Sequence, residues 1–66
     1  MSLLTKRERQ IFNLLIKNYT TDEIASLLHI TNKTVRNHIS NVILKLNVKS
    51  RSQAIIKLLS IKELIL

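Results

Sequence analysis

Lys33, Arg36, Asn37, Ser40 and Asn41 recur at helical spacing and carry the side chains best suited to recognising another molecule. An arginine matches the two acceptors on a guanine edge, and an asparagine can pair bidentately with adenine. At about 100° per residue, Lys33, Asn37, Ser40 and Asn41 project to one side of a helix, with Arg36 on one flank and Thr34 on the other. Val35, Ile39, Val42 and Leu46 fall within roughly 60° of one another on the opposite side. A helix divided this way can pack on a small core and also enter a DNA major groove, which is just wide enough to admit it. Lys33 and Thr34 lie near the helix start, where backbone N–H groups also favour phosphate.

A solvated polar face is the ordinary alternative for such a stripe. Against it stands the distribution of charge. The chain carries a net +7, with Glu8, Asp22, Glu23 and Glu63 as its only acids. None lies between Ile24 and Lys62, whereas Lys33, Arg36, Lys45, Lys49, Arg51 and Lys57 all do. A polyanion is drawn to a segment of that kind.

Other chemistries fare poorly. There is no cysteine, so disulfides, thiolate metal sites and a cysteine nucleophile are excluded. His29 and His38 have no carboxylate placed to complete a metal site with them. No glycine is available for a phosphate loop, and no carboxylate pair suits acid–base work. Neither an enzyme nor a cofactor is expected. Phe12 and Tyr19 are the only aromatics, which leaves no stacking platform for single strands. Apolar runs reach only three residues, so no membrane span is expected, and no signal-peptide core follows Lys6, Arg7 and Arg9. The expected location is the cytoplasm, in association with the nucleoid.

The elements that position these residues are legible from their caps. The 66 residues suffice for one domain, residues 1–66, and the lack of Gly and Pro favours short helices over hairpins. The fold class is all-α, with four helices. The first opens at Thr5, with Glu8 closing a capping box, and presents Ile11, Leu14 and Leu15, flanked by Phe12 and Ile16. It should end near Asn18, a residue that tolerates the left-handed conformation. The second repeats the signal with Thr20 and Glu23 and turns Ile24, Leu27 and Leu28 inward, Ala25 allowing a close crossing. A turn at His29-Ile30 leads to the third helix, capped by Thr31 and ending at Asn47. The fourth starts at Ser50 with Gln53 closing its box. Ala54, Leu58, Ile61 and Ile65 form one stripe on it, while Ile55, Ile56 and Leu59 lie off that stripe. A helix apolar on two sides has more to bury than one small core can take, and a symmetric partner is the usual remedy.

Leu4-Thr5-Lys6-Arg7-Glu8, Glu23-Ile24-Ala25, Lys33 through Asn41, and Lys45 through Ala54 together resemble the LuxR-type (LuxR/NarL/FixJ) helix-turn-helix family. The likeness runs over almost the whole chain. It implies a four-helix domain whose third helix reads DNA and whose fourth helix makes a homodimer on a pseudo-palindromic promoter site. Arg36, Asn37, Ser40 and Asn41 would face bases. Thr20, Thr21, Lys33, Thr34, Lys45, Lys49 and Arg51 would approach phosphates. Ile55, Ile56 and Leu59 would form the dimer interface. The partners implied are double-stranded DNA, a second copy of the chain and RNA polymerase, with no membrane. Two departures stand out. Asn18 and Asn47 replace glycines usual in the family, and Leu44 stands on the outward side of the third helix, where the family is commonly polar. A promoter-recognition region of a sigma factor is a competing reading, and a basic amphipathic helix pair for a membrane or an acidic protein is another.

Overall fold

The computed structural model describes residues 3–65. Four helices follow one another: α1 Lys6–Leu15, α2 Thr21–Leu28, α3 Asn32–Leu46 and α4 Arg51–Ser60. Each begins at an extended hydroxyl residue whose side chain accepts the N–H three residues on: Thr5, Thr20, Thr31 and Ser50. These bonds satisfy donors that a helix start otherwise leaves orphaned. Both expected capping boxes on α1 and α2 are complete. The third expected box differs. Gln53 accepts from the N–H of Lys49 at 2.8 Å rather than from Ser50, so it closes the turn one residue earlier.

A left-handed residue follows each helix, as the C-cap itself on α2 and α3 and two or three residues beyond the last helical residue on α4 and α1. Asn18, His29, Asn47 and Lys62 take positive φ, between 56° and 71°, in a chain without glycine. In each case the next N–H reaches back across the last turn: Tyr19 to Leu14, Ile30 to Ala25, Val48 to Ile43 and Glu63 to Leu58. This pattern satisfies terminal carbonyls that have no partner within the helix. Asn18 and Asn47 thus take the conformation expected of them, although α1 itself stops at Leu15.

The core is built around α3, which packs against α1, α2 and α4. Val35, Ile39, Val42 and Leu46 are all buried, as their spacing requires. Ile11 and Phe12 meet them from α1, Ile24 and Ala25 from α2, and Ala54 and Leu58 from α4. Burying each larger side chain contributes about 1.5–3 kcal/mol, offset largely by the entropy of ordering the chain.

Two apolar expectations are corrected. Leu27 is not inward but exposed. The small side chain of Ala25 lets α2 approach closely, so the buried arc runs through Ile24, Leu28 and Ala25, leaving Leu27 to one side. Ile61 and Ile65 do not extend the α4 stripe, because the helix ends at Ser60 and both are exposed. The left-handed turn at Lys62 reverses the chain, so Leu64 enters the core instead. Glu63 is then held against Arg9 at 3.3 Å and accepts from the Leu3 N–H. Glu63 thereby ties the start of the described chain to its end and holds both beside Arg9 of α1.

Candidate nucleic-acid interface

The short α2, the left-handed turn at His29 and α3 form a helix–turn–helix whose angle is fixed by more than packing. The Asn32 side-chain amide donates to Thr21 Oγ1 at 3.0 Å and also to the Asp22 carboxylate. The first turn of α3 is thus tied to the first turn of α2. Thr31 Oγ1 accepts the Thr34 N–H at 3.1 Å and lies 2.9 Å from Thr34 Oγ1. A hydroxyl pair therefore stands at the positive end of the α3 dipole.

Beyond this tie the outward face of α3 is open. Lys33, Arg36, Asn37, Ser40 and Asn41 are all exposed, while Thr34 and His38 are half-buried on the flanks. The structure therefore brings the four residues expected at bases onto one accessible surface, opposite the sealed stripe. Thr20, Thr21, Lys49 and Arg51 lie around its margin in sequence: Thr20 and Thr21 at the start of α2, Lys49 and Arg51 at the start of α4. Of these, only Thr21 is half-buried.

Lys45 has a role inside the protein. Its ammonium donates to Glu8 Oε1 at 2.6 Å and to the Leu3 carbonyl at 2.9 Å, bolting the last turn of α3 to the start of α1. Glu8 is itself nearly sealed and accepts the Thr5 N–H at 2.9 Å with the same oxygen. Burial pushes its pKa up. The bonds from Lys45 and Thr5, with the positive charge of Lys45 and His38 nearby, outweigh that and hold the carboxyl below its usual range. The capping box explained Glu8 in the sequence, and the second role becomes visible only once α1 crosses α3. Lys57 likewise donates to the Leu46 carbonyl at 3.1 Å, placing a cation at the negative end of α3.

Among the residues expected at a dimer interface, Ile56 is fully outward, whereas Ile55 and Leu59 pack partly against the core. Leu44 is 78% exposed on α3. Among the described residues no cluster of His, Asp and Glu could hold a metal ion, and no helix is long and apolar enough to cross a membrane.

A polar, acid-free helix face presented by a helix–turn–helix places the molecule in the helix-turn-helix class of DNA-binding domains. Residues 2–58 match the family of bacterial regulatory proteins, luxR family, and the chain belongs to that family. It is 63% identical over 62 residues to the spore germination protein GerE of Bacillus subtilis, covering 94% of this chain and 84% of that one. It is 52% identical over 54 residues to the response regulator protein VraR of Staphylococcus aureus, covering 82% of this chain but only 26% of the longer protein. A solved structure of the transcription factor GerE superposes with a TM-score of 0.95 at 58% identity, covering 98% of this chain and 97% of that one. The protein is a GerE-like transcription regulator of the LuxR family.

Proposed function

We propose that the chain binds a pseudo-palindromic promoter site on double-stranded DNA as a homodimer, reading each half-site with α3. The observation that carries this reading is the division of α3. Val35, Ile39, Val42 and Leu46 are sealed inside, while Lys33, Arg36, Asn37, Ser40 and Asn41 stand open without an acid among them. Arg36, Asn37, Ser40 and Asn41 face bases. Thr20, Thr21, Lys33, Thr34, Lys49 and Arg51 approach phosphates, as does Lys45 if it shares its ammonium between Glu8 and the backbone of DNA. Ile56, with Ile55 and Leu59, meets its counterpart on the partner subunit, which sets two half-sites about one helical turn, roughly 10 base pairs, apart.

The molecule acts by binding and not by catalysis, and it occupies the nucleoid of the cytoplasm. There it meets RNA polymerase at promoters. Its likeness to a spore germination protein supports a role in sporulation.

The test begins by selecting a duplex from a random library. Arg36→Ala should then cost about 1–3 kcal/mol on the selected duplex and relax preference at one base pair. Unchanged affinity at fixed salt would show that this face does not read DNA.

A further inference from the structure

We propose that Leu44 reads the methyl group of a thymine and extends the recognised sequence beyond the base pairs reached by Arg36, Asn37, Ser40 and Asn41. The inference rests on α3 being the reading helix. Seven residues separate Asn37 from Leu44, so their side chains leave α3 in directions only about 20° apart, two turns and roughly 10.5 Å along the axis. Ser40 and Asn41 lie between them on the same side. Leu44 is thus the last member of the polar stripe, and the only apolar one.

Among the described residues, none covers it. Leu44 is 78% exposed, and Ile43 and Val48, which flank it, turn toward the core instead. Its neighbour Lys45 is turned toward Glu8 and the Leu3 carbonyl, which leaves an uncharged, apolar end to the stripe.

That end has one good counterpart in a major groove. Leucine has no group to pair with the donors and acceptors of a base edge, and pressing it on them would strip water without replacement. The thymine C5-methyl is the one methyl group that a base pair presents there. Because α3 lies along the groove, the thymine should fall beyond the base pair read by Asn37, on the side toward the C-terminus of α3. The contact therefore also selects against G·C at that position.

The experiment replaces each thymine of the selected duplex, one at a time, by deoxyuridine, which lacks only the methyl. Affinities of the wild-type chain and of Leu44→Ala are measured at fixed salt. At one thymine position of a half-site, the single replacement should weaken the wild type roughly fourfold, the equivalent of one methyl-sized group returned to water. The same replacement should leave Leu44→Ala unaffected. The proposal is overturned if no deoxyuridine position separates the two proteins. It is equally overturned if Leu44→Ala weakens selected and random duplexes alike, which would place Leu44 against the backbone. It also falls if Leu44→Ala binds as the wild type does, which would point to a protein contact. Each of these results leaves α3 as the reading helix. Failure to select any sequence at all would remove that reading, and Leu44 with it. Leu44 is outside the core, so melting of Leu44→Ala should match the wild type, and a shared melting temperature certifies the comparison.

Discussion

Replacing Glu8 by Gln isolates what the ion pair with Lys45 contributes. Glutamine keeps the length of the side chain and still accepts the Thr5 N–H, so the start of α1 survives. What disappears is the charge of a side chain only 6% exposed, 2.6 Å from an ammonium whose side chain retains 35% of its surface in solvent. Breaking a wholly buried pair costs roughly 3–5 kcal/mol, and an exposed pair is worth less than about 1 kcal/mol. With one partner sealed and the other a third exposed, the expected cost is about 2 kcal/mol. That corresponds to a fall of roughly 10 °C in melting temperature for a domain this small. Glu23→Gln is the internal control. Glu23 does the same capping work on α2 at 2.8 Å, but it is exposed and has no cation paired with it among the described residues. Its replacement should cost only a few tenths of a kcal/mol. Urea unfolding followed by circular dichroism measures both, at one protein concentration, because self-association adds concentration-dependent stability. The pH dependence has a fixed sign. The folded carboxyl lies below its unfolded value, so its contribution is complete above about pH 4.3 and is lost as pH falls through the folded value. Wild type and Glu8→Gln should therefore converge in acid. Equal costs for the two substitutions at neutral pH, or a Glu8→Gln cost that persists unchanged in acid, refutes the reasoning.

Lys62 holds φ at 61°, a conformation costing a side-chain-bearing residue roughly 1–2 kcal/mol. Lys62→Gly should therefore stabilise by about 0.5–1 kcal/mol after the added freedom of the unfolded chain is subtracted, read as a higher urea midpoint. Ile56→Glu should leave the monomer folded, since Ile56 is 66% exposed, and should shift sedimentation toward monomer. A dimer that persists at low concentration would place the interface elsewhere. Lys49→Ala should weaken selected and random duplexes alike and flatten the dependence of log K on log salt by about one.

The caps and the α3 stripe were legible because each rests on local chemistry. A hydroxyl three residues before a carboxylate or amide announces a helix start, and four apolar residues at helical spacing announce a buried side. Asn18 and Asn47 were legible as terminators for the same reason. Leu27 was not, because which apolar residues of a short helix turn inward depends on how closely Ala25 lets α2 approach its neighbour. The ends of the chain were legible least. A Lys in the left-handed conformation carries no local signal, so the reversal at Lys62, and the entry of Leu64 in place of Ile61 and Ile65, emerged only from the fold. The ion pair of Glu8 and Lys45 spans 37 positions, and nothing in either residue's surroundings in sequence joins them. The outward face of α3 needed no such information, since the side opposite a buried stripe is determined once the stripe is known.

The absence of cysteine allows the orientation of α3 to be tested directly. Single cysteines introduced at Asn37, and as a control at Gln10 on α1, would carry a DNA-cleaving iron chelate on the selected duplex. Both positions are exposed, so neither substitution disturbs the core, and because Asn37 is assigned to a base, each labelled chain is first shown to retain the selected duplex. Cleavage from position 37, confined to a few base pairs of each half-site and directed from the major groove, is the predicted result. Focused cleavage from position 10 with none from position 37 would contradict the account, because duplex would then lie against α1.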